Sequence, residues 1–338
     1  MKTIFIADDN TSTLMTAMDA LSSQYQVYTM LSSAKMFAML EKTTPDLILL
    51  DIEMPEMDGF DTLRKLKSNS VYAGIPVIFL TSRTDPKDEI YGLRLGAVDY
   101  ITKPFNASVL LNRVHTHTNI SEVIRESATQ VKTLKNGIVT ILADIVEARD
   151  ASTGGHNERT SSYIRILFEA MTEQGVYADE MADWNIETVV SSALLHDIGK
   201  IAIPDAILKK PGKLTPEEYE IIKTHAIEGE RIITRIADHA GDGVFLRHAR
   251  LFAGSHHERW DGSGYPRGLK GVDIPLQGRI MSIADVYDAL VSERPYKAMM
   301  TCDKANDIII EGAGGHFDPV IVDVFRIVQD RFQSVTQV

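Results

Sequence analysis

Six short motifs in the C-terminal half of the chain concentrate residues that can do chemistry. They are His156 in TGGH (153–156), His196-Asp197 in HDIGK (196–200), His225 in KTHAIEG (223–229), His256-His257 in HHERWDGSGYP (256–266), Asp285 in SIADVYDAL (282–290), and Arg294 with Lys297 in RPYK (294–297). One histidine in a helical protein is more often structural than a ligand. Five histidines and two aspartates in tight motifs reverse that expectation. The apolar stretch Val189–Leu195 runs directly into His196-Asp197. The pair is therefore expected to be partly buried, where unpaired polar groups are costly. Imidazole nitrogen and carboxylate oxygen suit manganese, iron or zinc, and the lack of thiolates argues against soft-metal or iron–sulfur sites. Two metals sharing a carboxylate is the economical arrangement. Such a pair can hold a bridging hydroxide and stabilise both the attacking and leaving oxygens at phosphorus.

A second constellation lies near the N-terminus. Ile4-Phe5-Ile6 leads to Asp8-Asp9, Leu47–Leu50 ends in Asp51, Val77–Leu80 ends in Thr81, and Lys103 follows Tyr100-Ile101-Thr102. Each apolar run has the character of a buried parallel strand with a polar group at its C-terminal end. One strand-end aspartate alone would be a solvated residue; several groups at matching strand ends, with Lys103-Pro104, make a phosphoryl-transfer site. Clustered carboxylates bind Mg²⁺ through oxygen, one aspartate can act as nucleophile, and the hydroxyl and lysine can hold phosphate oxygens.

The elements that must position these groups differ between the halves. Helical patterns such as Thr11–Ser22 and Asp58–Ser68 alternate with the N-terminal strands, which implies a doubly wound α/β sheet with its site beyond the carboxyl ends of the strands. That domain is expected over residues 1–120. Residues 121–135 are expected to form a linker helix. Ile124, Val131, Ile138 and Ile145 there define a seven-residue repeat, with Leu134 and Ile141 midway and Ser127 as an interruption. The repeat, continuing to about 145, fits either a coiled coil with a second copy of the chain or an amphipathic helix packed on its own domain. Residues 136–338 are expected to be all-α, with helices at 136–150, 157–174, 185–197, 215–237 and 279–292.

Among the 338 residues 44% are apolar and 24% charged, as in globular proteins, and the length suits two domains. The net charge of −12 argues against duplex DNA as a partner. No apolar run reaches the roughly 20 residues that cross a bilayer, and the start, MKTIFIADDN, is not a secretion signal. Cys302, the single cysteine, allows no internal disulfide, so a cytoplasmic location is expected.

Residues 1–120 resemble a two-component receiver domain of flavodoxin-like fold, through ADD (7–9), LILLDIEMPEMDGF (47–60), FLTS (79–82) and GAVDYITKPF (96–105). The resemblance implies phosphorylation of Asp51 by a cognate sensor histidine kinase. It also implies Mg²⁺ at Asp8, Asp9 and Asp51, a switch pair of Thr81 and Tyr100, and a phosphate contact from Lys103. Residues 136–338 resemble the HD-GYP phosphodiesterases through HDIGKIAIPDAILKKPGKL, HHERWDGSGYP and RIMSIADVYDALVSERPYK. That resemblance implies one metal at His156, His196, Asp197 and Asp285, and a second bridged by Asp197 and held by His225, His256 and His257. Iron or manganese is expected, with zinc or nickel as alternatives. Lys200 is implied near the scissile phosphate, Arg294 and Lys297 on substrate phosphates, and Gly264-Tyr265-Pro266 at the pocket wall. By itself that tripeptide is a turn, and Arg294 and Lys297 a solvated pair. Relatives with three metals carry a glutamate four residues before the first ligand histidine. Ser152 stands there in this chain, so a two-metal centre is expected, with Glu147 and Asp150 on the wrong helical spacing to substitute. His316 is expected in a structural turn, and His115, His117, His239 and His248 have no motif context.

The implied activity is hydrolysis of the 3′–5′ phosphodiester of cyclic di-GMP by a hydroxide bridging the two metals, under control of Asp51 phosphorylation. Three rivals remain at this point: preference for cyclic GMP–AMP, a catalytically silent cyclic-dinucleotide-binding module, and a nucleotide phosphomonoesterase. The last would leave His225, His256 and His257 without a purpose.

Overall fold

The computed structural model describes residues 1–82, 86–149, 155–292 and 299–336. Two compact units divide the chain, Met1–Lys132 and Thr133–Val338.

In the first unit, strands β1 (Thr3–Ala7), β2 (Gln26–Met30), β3 (Leu47–Asp51), β4 (Val77–Thr81) and β5 (Asp99–Thr102) alternate with helices α1 (Thr11–Leu21), α2 (Ser33–Leu40), α3 (Gly59–Ser68) and α4 (Pro86–Arg94). The strands form one parallel sheet in the order β2-β1-β3-β4-β5. Successive strand residues point to opposite faces. Phe5, Ile48, Leu50 and Phe79 accordingly pack with Met36, Leu63 and Leu66 on one face. Ile4, Ile6, Leu49 and Ile78 pack with Leu14, Ala17, Leu110 and Val114 on the other. Both layers of helix begin at side-chain caps. Asn10 accepts from the amides of Ser12 and Thr13, and Asp58 from that of Asp61, satisfying donors that have no partner inside the helix. Chain order reverses at β1, flanked by β2 and β3, which places Asp8 and Asp51 at the crevice where doubly wound sheets bind ligands.

Helix α5 runs without a break from Ala107 to Arg149. The stretch expected as a linker at 121–135 is the middle of this helix. Leu110 and Val114 in its first turns belong to the core of the first unit. In its last turns Val139 and Val146 are buried with Leu195, Ile198, Ile233, Ala249 and Ala253. The heptad residues lie on another face: Ile124, Val131, Leu134, Ile138, Ile141 and Ile145 are 50–67% exposed. The helix thus carries two apolar stripes, one packed within its own unit and one facing solvent.

The second unit continues with α6 (His156–Gln174), α7 (Ala178–Met181), α8 (Ile186–Ala193), α9 (Asp205–Leu208), α10 (Pro216–Lys223) and α11 (His225–Ala240). It ends with α12 (Val244–Ser255), α13 (Leu276–Val291), α14 (Cys302–Glu311) and α15 (Pro319–Thr336). Its core is built on Tyr163, Phe252, Ile280, Tyr287, Phe325 and Phe332, all fully buried. Two expected helices differ in detail. The one expected at 185–197 stops at Ala193 and gives way to a 3₁₀ segment, Ile198–Ala202. The one expected at 215–237 divides at Thr224 into α10, which opens with a Thr215/Glu218 capping box, and α11. Both breaks fall beside motif residues, His196-Asp197 and His225. Gly199 lies so close to α11 that a Cβ would fall 1.9 Å from the His225 carbonyl oxygen and 2.4 Å from the Gly229 nitrogen. Only glycine permits that approach, which brings the His196-Asp197 turn against the start of α11.

Candidate metal centre and phosphoacceptor site

His196 and Asp197 lie between α8 and the 3₁₀ segment, His225 opens α11, His256 and His257 follow α12, and Asp285 lies on α13 beside His156 at the start of α6. Their ligand atoms form two groups, His156/His196/Asp285 and His225/His256/His257. Asp197 lies between the groups. Its Oδ2 is 3.3 Å from His196 Nε2, and its Oδ1 is 3.4 Å from His225 Nε2 and 3.7 Å from His256 Nε2. One carboxylate thus offers an oxygen to each group. Lys200 Nζ approaches Asp197 Oδ2 at 2.7 Å.

Hydrogen bonds on the far side of the His156, His196, His225 and His256 rings fix which nitrogen faces inward. Nδ1 of His196 meets the Ala193 carbonyl at 3.0 Å, that of His225 the Ile222 carbonyl at 2.7 Å, and that of His256 the Phe252 carbonyl at 3.0 Å. His156 Nδ1 meets Asp288 Oδ2 at 2.8 Å. A carbonyl or carboxylate can only accept, so Nδ1 carries the proton and Nε2 presents a lone pair to the centre. The inward nitrogens then face one another, His156 to His196 at 3.4 Å and His225 to His256 at 3.2 Å. Two lone pairs at that distance repel. Ligands at about 2.1 Å from one ion, at angles between octahedral and tetrahedral, lie about 3.0–3.4 Å apart. The donor set therefore fits one divalent ion in each group.

In the His225/His256/His257 group and at Asp197, electrostatics agree with ligation rather than protonation. Burial, reinforced by His196 and His225, pulls His256 down to about 3. Burial likewise holds His225 low and His257 well below the ordinary value. Burial opposes the charge on Asp197, yet Lys200, His196 and His225 together hold its carboxyl well below the usual range. For His156, burial is outweighed by the Asp288 bond and by Asp285, so its value is raised.

Three further residues organise the site and carry no signature by themselves. Asp288 is fully buried and accepts from Arg159 Nε at 2.6 Å and Nη2 at 3.1 Å as well as from His156. Their spacing offered a signal: Arg159 follows His156, and Asp288 follows Asp285, by three residues on one helix face. Glu147 accepts from the amides of His156 and Asn157, capping α6 where Gly155 has no side chain to do so. Glu258, buried beside the paired histidines, accepts from the amides of Arg267 and Leu269.

The last pair of bonds pins the Gly264-Tyr265-Pro266 loop. A Cβ on Gly264 would fall 2.3 Å from the Arg259 nitrogen. The Tyr265 amide donates to the His257 carbonyl at 3.1 Å, and its ring lies 4.7 Å from that of His257. The loop is a turn and also borders the ligand histidines. Arg294, Lys297, Ser152 and Asp150 lie outside the described residues. His316 belongs to a turn whose carbonyl accepts the Trp260 amide. His248 bonds Gln277, His117 bonds Asp99, and His115 bonds Asn119, all away from the ligand groups.

In the first unit, Asp8, Asp9 and Asp51 bring carboxylate oxygens together at the ends of β1 and β3. Lys103 Nζ bridges Asp8 at 2.6 Å and Asp51 at 2.9 Å. Burial, and then Asp8, push the Asp51 carboxyl above its ordinary value against the pull of Lys103. A divalent cation would relieve that crowding, so the set fits Mg²⁺. Thr81 is buried at the end of β4. Tyr100 is half-buried on β5, its hydroxyl raised first by a bond to Glu89.

Comparison with known proteins extends to both units. A response regulator receiver domain matches residues 4–115 and an HD domain residues 140–321. A probable cyclic di-GMP phosphodiesterase of Vibrio cholerae serotype O1 is 40% identical over 99% of this chain and 79% of its own length. The cyclic di-GMP phosphodiesterase response regulator RpfG of Xanthomonas campestris pv. campestris is 34% identical over 95% of this chain and 86% of its own. A 3′3′-cGAMP-specific phosphodiesterase of Vibrio cholerae is 37% identical over 59% of this chain and 35% of its own. With both domains matched and such relatives aligned along nearly the whole chain, the protein belongs to the response regulators that join a receiver domain to a metal-dependent HD-domain phosphodiesterase.

Proposed function

We propose that this chain hydrolyses the 3′–5′ phosphodiester of cyclic di-GMP at a two-metal centre held by His156, His196, Asp197 and Asp285 on one side and by Asp197, His225, His256 and His257 on the other. The observation that carries the reading is Asp197, one oxygen turned to each histidine group. Two divalent ions, iron or manganese by donor chemistry, would supply an activated water and neutralise charge on the phosphoryl oxygens. The chain's own residues do the rest. Four Nδ1–H bonds hold the imidazoles in the metal-binding tautomer. Lys200 Nζ, paired with Asp197 Oδ2, can donate a proton or a charge-assisted bond to the leaving oxygen. Tyr265, beside His257, closes the wall of the pocket. Arg294 and Lys297 are assigned to the substrate's phosphates by sequence motif alone. Relatives that cover 86–99% of the chain are named for cyclic di-GMP, and those named for cGAMP cover 54–59% of it, which favours the former substrate.

The test is turnover of cyclic di-GMP and of cyclic GMP–AMP by full-length protein loaded anaerobically with Fe or Mn, with Asp197→Ala beside it. Faster cleavage of cyclic di-GMP, abolished in the variant, is expected. Faster cleavage of the mixed dinucleotide would reassign the substrate, and no cleavage by metal-loaded protein would leave a silent binding module.

Control is assigned to Asp51, phosphorylated by a sensor histidine kinase with Mg²⁺ at Asp8, Asp9 and Asp51, and with Thr81, Tyr100 and Lys103 responding to the phosphoryl group. The solvent-facing stripe of α5 is assigned to a second copy of the chain. Ile124, Val131, Ile138 and Ile145 supply β-branched residues at one heptad position, and Leu134 with Ile141 at the other, a pattern that favours paired helices. Ile138→Asp should then turn a dimer into a monomer in sedimentation equilibrium. A monomeric wild type at tens of micromolar, on the order of the affinities that sustain working assemblies, would refute the pairing.

A further inference from the structure

The final turn of α5 touches both sides of the metal centre. Glu147 Oε1 accepts the His156 amide at 2.9 Å, and Oε2 the Asn157 amide at 3.3 Å, so this side chain fixes the first turn of α6 and with it the His156 ring. Two residues on, Arg149 reaches the other side. Its Nη1 donates to the Ile201 carbonyl at 3.0 Å, and its Nη2 to the Ile203 carbonyl at 3.3 Å and to Asp205 Oδ1 at 2.5 Å. Ile201 lies in the 3₁₀ segment Ile198–Ala202, which follows Asp197 directly and carries Lys200. On the buried face of the same helix, Val139 and Val146 pack with Leu195 and Ile198, the residues that bracket His196 and Asp197.

We propose that Glu147 and Arg149 are positioning residues of the phosphodiesterase site. Together they set the separation between His156 and the Asp197–Lys200 turn. The inference rests on the phosphodiesterase reading and deepens it by naming where control is applied. Helix α5 also supplies Leu110 and Val114 to the receiver core. A rotation or shift of this one continuous helix therefore reaches the site as a displacement of two opposing ligand segments. An ordinary helix cap and a surface ion pair would account for the same bonds, but removing them would alter stability without altering metal affinity or turnover.

The test compares full-length wild type with Glu147→Ala, Arg149→Gln and Arg149→Lys. Manganese binding to chelator-stripped protein is measured calorimetrically, kcat and KM with cyclic di-GMP, and folding by thermal melts. Glu147→Ala should weaken one of two manganese sites about tenfold, the scale of losses when a ligand's outer partner is removed. Arg149→Gln should lower kcat by a similar factor of about ten and leave KM nearly unchanged, because the Lys200 turn serves the chemical step. Arg149→Lys, which keeps a cationic donor, should recover much of the loss. Folded variants with wild-type kcat and wild-type affinity at both manganese sites would overturn the inference. Should Glu147→Ala fail to fold, the Arg149 pair decides it: equal kcat for wild type, Gln and Lys overturns the proposal. A wild-type chain that binds neither manganese nor ferrous iron and cleaves no cyclic dinucleotide would overturn the phosphodiesterase reading and this one with it.

Discussion

Asp288→Asn should cost metal affinity on one side of the centre only. The native carboxylate is fully buried and satisfies three donors. Its Oδ2 takes His156 Nδ1 at 2.8 Å and Arg159 Nη2 at 3.1 Å, and its Oδ1 takes Arg159 Nε at 2.6 Å. An amide has one acceptor oxygen in place of two. Wherever its NH₂ lands, it faces either Arg159 Nε–H or the shared position of His156 and Nη2. The first orientation breaks the bidentate clamp, and the second drives the His156 proton to Nε2, where the metal must bind. Even in the better orientation, His156 donates to a neutral oxygen and becomes a weaker ligand. Loss of such an outer partner lowers metal affinity about 10–100-fold, which converts to roughly 1.4–2.7 kcal/mol. Losing a charge-assisted bond of the clamp should cost a further ~1.5–3 kcal/mol of fold stability. Calorimetric titration of manganese into metal-free variant should show one site weakened within that range and the other within about twofold of wild type. Two unchanged sites in a folded protein, or equal weakening of both, would refute the argument that Asp288 acts through His156.

Two other perturbations follow from the same geometry. In Mg²⁺-free buffer, Asp51→Asn should raise the melting temperature of the receiver transition. The native carboxyl has a raised value, so its stabilising contribution is present below the unfolded value of about 3.9 and is lost as pH rises through the folded one. At neutral pH the ionised group is a burden, and relieving it should recover about 4–8 °C per kcal/mol. The gain should shrink as pH falls through the raised value; a gain that is constant with pH in calorimetry would count against burial as its source. Gly199→Ala places a methyl 1.9 Å from the His225 carbonyl oxygen and should destabilise the second unit by about 3 kcal/mol or more. Urea titration followed by far-UV circular dichroism would check this, and an unchanged midpoint would show that the joint between the Asp197 turn and α11 is looser than described.

Much of this protein is written locally in its chain. Apolar runs ending in Asp8, Asp51 and Thr81 point to buried parallel strands with polar groups at one edge, because strand type and burial follow from patterns a few residues long. The motif histidines and aspartates likewise stand out as candidate ligands by type and spacing. The repeat in α5 was legible too, but not its partition. Val139 and Val146 are buried within the second unit, whereas the heptad residues Ile138 and Ile145 lie exposed on another face, the one proposed to meet a second copy. A heptad pattern records periodicity, not which stripe finds a partner within its own fold.

Contacts between distant segments arise only once the chain has folded. That Asp197 turns one oxygen to each histidine group depends on Gly199 pressing into α11, some 26 residues along the chain. Asp288, Glu147 and Arg149 are ordinary charged residues by sequence. Their importance arises because α13 and the end of α5 deliver them to His156 and to the Lys200 turn. Which residues could ligate a metal is a matter of side-chain chemistry, and that chemistry is written in the sequence. His196, His225 and His256 are oriented by carbonyls three or four residues back along the chain, whereas His156 is oriented across the fold by Asp288, 132 residues away.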